Sequence, residues 1–196
     1  MQPTSPTREL ARFESLFSAH SSQVLAYAMR RTAIAADAED AAAETFTIAW
    51  RRLADVPPEP LPWLYGVARR ILANQRRSSG RRLVLFERVR PDPDVPTPIV
   101  LGEDADTPAM IALRRLRPDD QEILRLLAWE SLGNNEIAVV LGITANAVAI
   151  RLHRARQRFA TLIEQIGDER KVKGSGDSRT HDSVKGTAGS GVERSR

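Results

Sequence analysis

The sequence predicts an all-α chain: two small helical domains joined by a proline-rich linker, with a disordered C-terminal tail. Three observations carry this. Apolar residues recur at spacings of three and four in two blocks, residues 8–78 and 108–166. Between the blocks, PDPDVPTPIV places a proline at every second or third position. No stretch alternates apolar and polar residues over the length of a strand, and the apolar piece at 84–86 is too short to build a sheet.

The totals exclude several classes. There is no cysteine among the 196 residues, so disulfide and thiolate chemistry are absent. No apolar run approaches the roughly 20 residues of a membrane span. MQPTSPTREL has no apolar segment of the secretory type, so a cytoplasmic location and no membrane partner are expected. Lys and Arg outnumber Asp and Glu by only 29 to 25, so the placement of charge is more informative than its sum.

In the first block, Leu10, Phe13, Leu16, Phe17, His20, Val24 and Tyr27 or Ala28 form one helical stripe, with Ser21 and Ser22 as a candidate bend. Residues 32–36 connect to a second helix capped by Asp37 and running to about Leu53. Its inward stripe is Ala42, Phe46, Ala49, Trp50 and Leu53. Prolines 57, 58, 60 and 62 then forbid helix until Pro62 can serve as a first turn. A third helix runs to about Ser78 on Trp63, Leu64, Val67, Ile71 and Leu72.

Ser-Ser-Gly opens the linker, assigned to 79–107; Leu83 to Phe86 could prolong the preceding helix or dock on a partner. Thr107-Pro108 is a helix start. Asp119 is read as the next cap, with Ile123, Leu124, Leu126 and Leu127 inward and Gly133 as the stop. Asn134 or Asn135 caps a short helix, Gly142 turns the chain, and Thr144 caps the last helix on Val148, Leu152, Ala155, Phe159, Leu162 and Ile166. After Gly167 the pattern stops, and 167–196 is assigned as the tail.

Three constellations carry chemistry. Residues 135–159 form a helix-turn-helix, in which Ala138 allows close approach and Gly142 a left-handed turn. Arg151, Arg154 and Arg158 share a face with Ala147, while Asn146, Ala147 and Ile150 sit near the helix start, where base edges are met. His153 among these arginines is a phosphate contact or merely exposed. The third helix ends in Arg69, Arg70, Arg76 and Arg77; from Arg69 to Arg90 eight arginines face one acid, Glu87. Basic groups near Trp63 and Tyr65 suit nucleic acid, although Trp63 by itself reads as a core residue. Asp37, Glu39, Asp40 and Glu44 form an acidic patch with no basic residue between Arg31 and Arg51. It would repel phosphate, so it faces solvent or a basic protein. Scattered histidines (20, 153, 181) and the lack of a phosphate-cradling glycine loop argue against an enzyme, and no cofactor or metal is expected.

DAEDAAAETFTIAW (37–50), WLYGVARRILANQRR (63–77) and NEIAVVLGI with RLHRAR (135–156) together resemble the extracytoplasmic-function (ECF) group of bacterial sigma factors. The resemblance covers roughly 8–78 and 108–166. It implies that 8–78 is region 2 and 108–166 region 4 of a factor that binds core RNA polymerase and directs it to promoter DNA. It implies core docking by Asp37, Glu39, Asp40 and Glu44. It further implies −10 recognition by Trp63, Arg69, Arg70, Asn74, Arg76 and Arg77, with a flipped base captured by the loop 55–62. Recognition of the −35 element falls to Thr144, Asn146, Ala147, Ile150, Arg151, Arg154 and Arg158. An anti-sigma factor is a further partner of the group. The competing expectation is a stand-alone, dimeric helix-turn-helix regulator; a more distant one is an enzyme with a pocket inside 8–78.

Overall fold

The computed structural model describes residues 6–86 and 107–176. Seven α-helices occur there: α1 (Pro6–Met29), α2 (Ala35–Arg51), α3 (Pro60–Phe86), α4 (Pro108–Arg115), α5 (Pro118–Ala128), α6 (Asn134–Leu141) and α7 (Ala145–Gly176). A single 3-10 turn, Leu53–Asp55, follows α2. No strand occurs among the described residues.

The N-terminal half is a packed unit of α1, α2 and α3. Leu16, Val24, Tyr27 and Ala28 of α1 meet Ala38, Ala42, Phe46 and Ala49 of α2 and Leu64, Val67, Ala68, Ile71 and Leu72 of α3, all buried. Small residues at 38, 41, 42 and 49 let α2 lie close to its neighbours. The C-terminal half wraps α4, α5 and α6 around α7, whose Val148, Leu152, Ala155 and Ile166 are buried.

The predicted helices are present, with shifted edges. Ser21 and Ser22 do not break α1. Asp37 is not a cap: α2 begins at Ala35 after Ile34, and Asp37 sits in the first turn, where its charge still suits the helix dipole. Likewise Arg117 precedes α5, Pro118 takes its first position, and Asp119 and Asp120 follow in the first turn. Gly133, not an asparagine, is the cap residue of α6, and its N–H donates to Glu136 Oε2 at 2.7 Å. The stop of α5 comes earlier than Gly133, at Trp129, and Ser131 takes the left-handed turn at φ 54°. Thr107 and Thr144 cap as expected, accepting from Met110 N at 3.3 Å and Ala147 N at 3.2 Å. Gly142 has φ 67°, a backbone that side chains with a Cβ resist.

Two helices outrun their predicted ends. α3 starts at Pro60 and continues through Ser-Ser-Gly to Phe86, so Leu83 to Phe86 prolong it. α7 passes Gly167 and continues to Gly176. Both extensions follow from a helix already nucleated by its packed part, since propagation needs far less than initiation. The proline run at 91–98 and the remainder of the tail lie outside the described residues. Leu10, Phe17 and Trp50, expected inside, are 44–48% exposed. Their stripe is wider than the groove it packs into.

The two halves touch. α3 packs on α6, and the buried apolar residues of both halves form one contiguous cluster. Gly66 is buried at this crossing: a Cβ built on it would lie 3.4 Å from the Val140 carbonyl oxygen and 3.5 Å from its Cα. A glycine inside a helix costs about 1 kcal/mol relative to alanine. Here it permits backbone-to-backbone approach of the halves.

Candidate nucleic-acid and polymerase interfaces

The helix-turn-helix is α6, Gly142 and α7. Ile137, Ala138 and Val140 are buried against Val148 and Leu152, which fixes the angle between the helices. Outward from this pair, Asn146, Ile150, Arg151 and Arg154 are exposed and Ala147 is half-buried. Thr144 is spent as the cap. Arg158 differs from its neighbours: its Nη1 donates to Asp120 Oδ2 at 2.7 Å, tying α7 to α5.

On α3, Arg70, Asn74 and Arg77 are exposed at i, i+4 and i+7, one face of the helix. Arg77 donates to Asn74 Oδ1 at 3.1 Å and to Ala73 O at 3.2 Å, so the pair is held together. Arg69 is half-buried. Trp63 is half-buried and packs against the core, in keeping with its bottom-up reading. Arg76 turns away from this face and donates to the Arg31 carbonyl oxygen. An open cavity of ≈ 380 Å³ lies at the loop before α3, lined by Pro58, Glu59, Pro60, Leu61, Pro62, His20 and Glu136. Glu136 belongs to α6, so the two halves share the cavity.

Glu39, Asp40 and Glu44 of α2 are exposed and Asp37 is half-buried. None of the four forms an ion pair or hydrogen bond among the described residues. Beside them stands an aromatic cluster that the periodicity placed inward. Phe13 packs edge-on against Phe46 and Trp50, with ring centroids 6.5 and 5.1 Å apart, and Phe17 against Phe46 at 4.9 Å. Trp50 and Phe17 remain largely exposed.

One cluster was not anticipated at all. Arg31 is 3% exposed and is held by two carboxylates of the other half: Glu122 Oε2 at 3.0 Å and Glu130 Oε1 at 2.9 Å. Arg30 pairs with the second oxygen of Glu130, and Tyr27 Oη donates to Glu122 Oε1 at 2.9 Å. The Arg31 guanidinium lies 3.5 Å above the Tyr27 ring, which stacks on Tyr65 at 4.6 Å. Burial, then Glu122, raise the Tyr27 pKa well above its usual value. Burial, then Glu130, push Tyr65 up to about 12. Both phenols therefore stay protonated and neutral. The only available signal was Arg30-Arg31 at a helix end, and nothing local pairs it with acids more than 90 residues away.

Fold and surface define an all-helical, bipartite nucleic-acid-binding protein with an acidic face set apart from its basic ones. Residues 16–82 match sigma-70 region 2 and residues 110–159 match sigma-70 region 4. The ECF sigma factor SigL of Mycobacterium tuberculosis (strain H37Rv) is 28% identical over 164 residues, covering 81% of this chain and 93% of SigL. The sigma factor CarQ of Myxococcus xanthus is 28% identical over 161 residues, covering 79% and 90%. Among solved structures, the sigma factor RpoE in complex with the anti-sigma factor NepR, from Bartonella quintana, shares the fold. Its TM-score is 0.60 at 21% identity, over 78% of this chain and 96% of that one.

The chain belongs to the extracytoplasmic-function group of the sigma-70 family. It binds core RNA polymerase and directs promoter-specific initiation through −10 and −35 elements, as a regulator of transcription. This displaces the reading as a stand-alone helix-turn-helix regulator, which left the whole first half without a role.

Proposed function

We propose a division of labour among the three surfaces. The acidic face of α2, with Asp37, Glu39, Asp40 and Glu44, docks on a basic helical surface of core polymerase, and the exposed rings of Trp50 and Phe17 extend the contact. Four carboxylates with no ion pair among the described residues favour a basic protein partner and repel DNA. Arg70, Asn74 and Arg77 of α3 face the −10 element, with Arg69 behind them and Trp63 in the first turns of α3, near the loop at 56–59. Asn146, Ala147 and Ile150 read the −35 element, while Arg151 and Arg154 grip phosphates. Arg76 and Arg158 are positioning residues in the free protein, since each is committed to an internal acceptor.

The observation that carries this reading is the separation of signs: exposed acids on α2, and Arg70, Arg151 and Arg154 exposed on α3 and α7. On this reading the two functional units are 8–78 and 108–166, and the chain acts in the cytoplasm. An anti-sigma protein that covers the α2 face would silence it. The test is transcription in vitro with sigma-free core polymerase and a promoter mapped from start sites after overexpression. Initiation that depends on the added chain supports the assignment. Binding to DNA without core, and no initiation with core, would refute it.

A further inference from the structure

The second helix carries opposite signs at its two ends. Asp37, Glu39, Asp40 and Glu44 lie in the first turns of α2, while Arg51 closes it and Arg52 follows directly. Arg51 stands about 17 Å beyond Asp40 at ~1.5 Å per residue. The start of α1 packs against this basic end. Phe13 meets Trp50 edge-on at 5.1 Å, and Arg12 Nη2 donates to the Val56 carbonyl oxygen at 2.9 Å. Arg8 lies one turn before Arg12 on the same face. Arg8, Arg12, Arg51 and Arg52 are all exposed.

A structural role accounts for only part of this corner. Cations at the end of α2 suit the negative pole of its dipole, so Arg51 and Arg52 stabilise that helix. Arg8 is placed the other way. It stands in the first turn of α1, where the pole is positive and a cation is disfavoured. Of the nearby acids, Asp55 is taken up by Arg52 at 3.0 Å, and Glu9 is engaged as well. Neither Arg8 nor Arg51 forms an ion pair or hydrogen bond among the described residues. The corner therefore keeps a positive field that the fold does not use.

Its position says what the field is for. The loop at 56–59 leads from this corner to α3, whose exposed Arg70 and Arg77 are assigned above to the −10 element. Arginines thus stand at both ends of the loop. A single strand opened on α3 and held at the loop carries its phosphates on past it, and such a strand is tracked by cations along its backbone. Guanidinium groups suit that task, because each can donate to two phosphate oxygens at once.

We propose that Arg8 and Arg51, with Arg12 and Arg52 beside them, form a second single-strand site. It grips phosphates of the non-template strand just downstream of the −10 element. The site rests on the −10 reading of α3.

The test uses the full chain bound to core polymerase on two forked promoter DNAs. In one, the non-template strand ends with the −10 element; in the other it continues for about six nucleotides. The continuation should tighten binding by the parent. Arg8→Ala/Arg51→Ala should lose at least threefold of that gain and bind the shorter fork as the parent does. Its salt slope on the longer fork should flatten by about 1.4, at ~0.7 per phosphate no longer neutralised. Arg8→Lys/Arg51→Lys keeps the charge and should restore most of the gain. A gain equal in parent and Ala pair, or no gain in the parent, overturns the site. Equal weakening of the Ala pair on both forks also overturns it, and assigns the corner to an acidic face of the polymerase. A parent that binds both forks no better than forks with a scrambled −10 element removes the −10 reading, and this site with it.

Discussion

Two sets of acids on this chain behave in opposite ways. Asp40 and Glu44 on α2 are exposed and unpaired among the described residues, while Glu122 and Glu130 are withdrawn around Arg31. Both sets are carboxylates on helices or at a helix end. The first set is available to a partner; the second is consumed within the chain. Side-chain exposure, rather than charge, separates a docking surface from an internal fastening.

The largest effect should come from breaking the consumed set. Arg31→Ala leaves Glu122 without its cation and Glu130 with Arg30 alone. Removing one partner of a buried pair typically costs about 3–5 kcal/mol. Here that cost falls on the contact between halves and is capped once they separate and the acids regain water. Urea unfolding followed by fluorescence should split from one transition into two; a single unshifted transition would show that Arg31 contributes little.

Attacking the free set should do the reverse. Asp40→Lys/Glu44→Lys is expected to weaken core binding at least tenfold while changing the stability of the isolated chain by no more than about 0.5 kcal/mol per site. Competition for core against a second sigma factor measures the first quantity, thermal melting the second. Equal affinity for core would remove α2 from the docking surface.

The arginines of α7 offer a parallel contrast. Arg151→Ala/Arg154→Ala should flatten the slope of log K against log salt for −35 duplex by about 2, close to one for each phosphate that is no longer neutralised. Arg158→Ala should leave the slope nearly unchanged and lower stability by depriving Asp120 of its partner. Matching slopes for all three arginines would dissolve the distinction.

The smallest effect is alkaline. The folded state holds the Tyr65 proton more tightly than the unfolded chain, whose tyrosine ionises near 10. Its contribution is complete below pH 10 and is lost as pH rises through about 12. Tyr65→Phe should therefore flatten the decline of the urea midpoint over that window. An unchanged decline would assign it to other groups.

Much of this was legible in the sequence alone. Helical spacing identified the inward faces of α3, α6 and α7, and Thr107, Gly142 and Thr144 marked the start of α4, the end of α6 and the start of α7. Those signals are local. Asp37 and Asp119 misled because a carboxylate suits both the cap and the first turn, and the backbone chose one residue type over another by only a small margin. Ser-Ser-Gly and Gly167 misled because weak breakers do not stop a helix already formed. Trp50 misled because periodicity gives the direction of a side chain but not the depth of the groove it meets. The Arg31 cluster was invisible, since nothing in α1 names the acids of α5 as its partners. The same limit hid the fate of Arg76 and Arg158, which look like their neighbours in sequence and differ only in what lies within reach.

One consequence follows from the length of α3. From Gly66 to Phe86 the helix is uninterrupted, about 30 Å at ~1.5 Å per residue. Its fulcrum is the touching point with α6, and its far end carries the start of the linker. A tilt of about 10° at Gly66 displaces that end by roughly 5 Å over such an arm. The helix is thus a lever: a slight loosening at the boundary is magnified into a new departure point for the connecting chain.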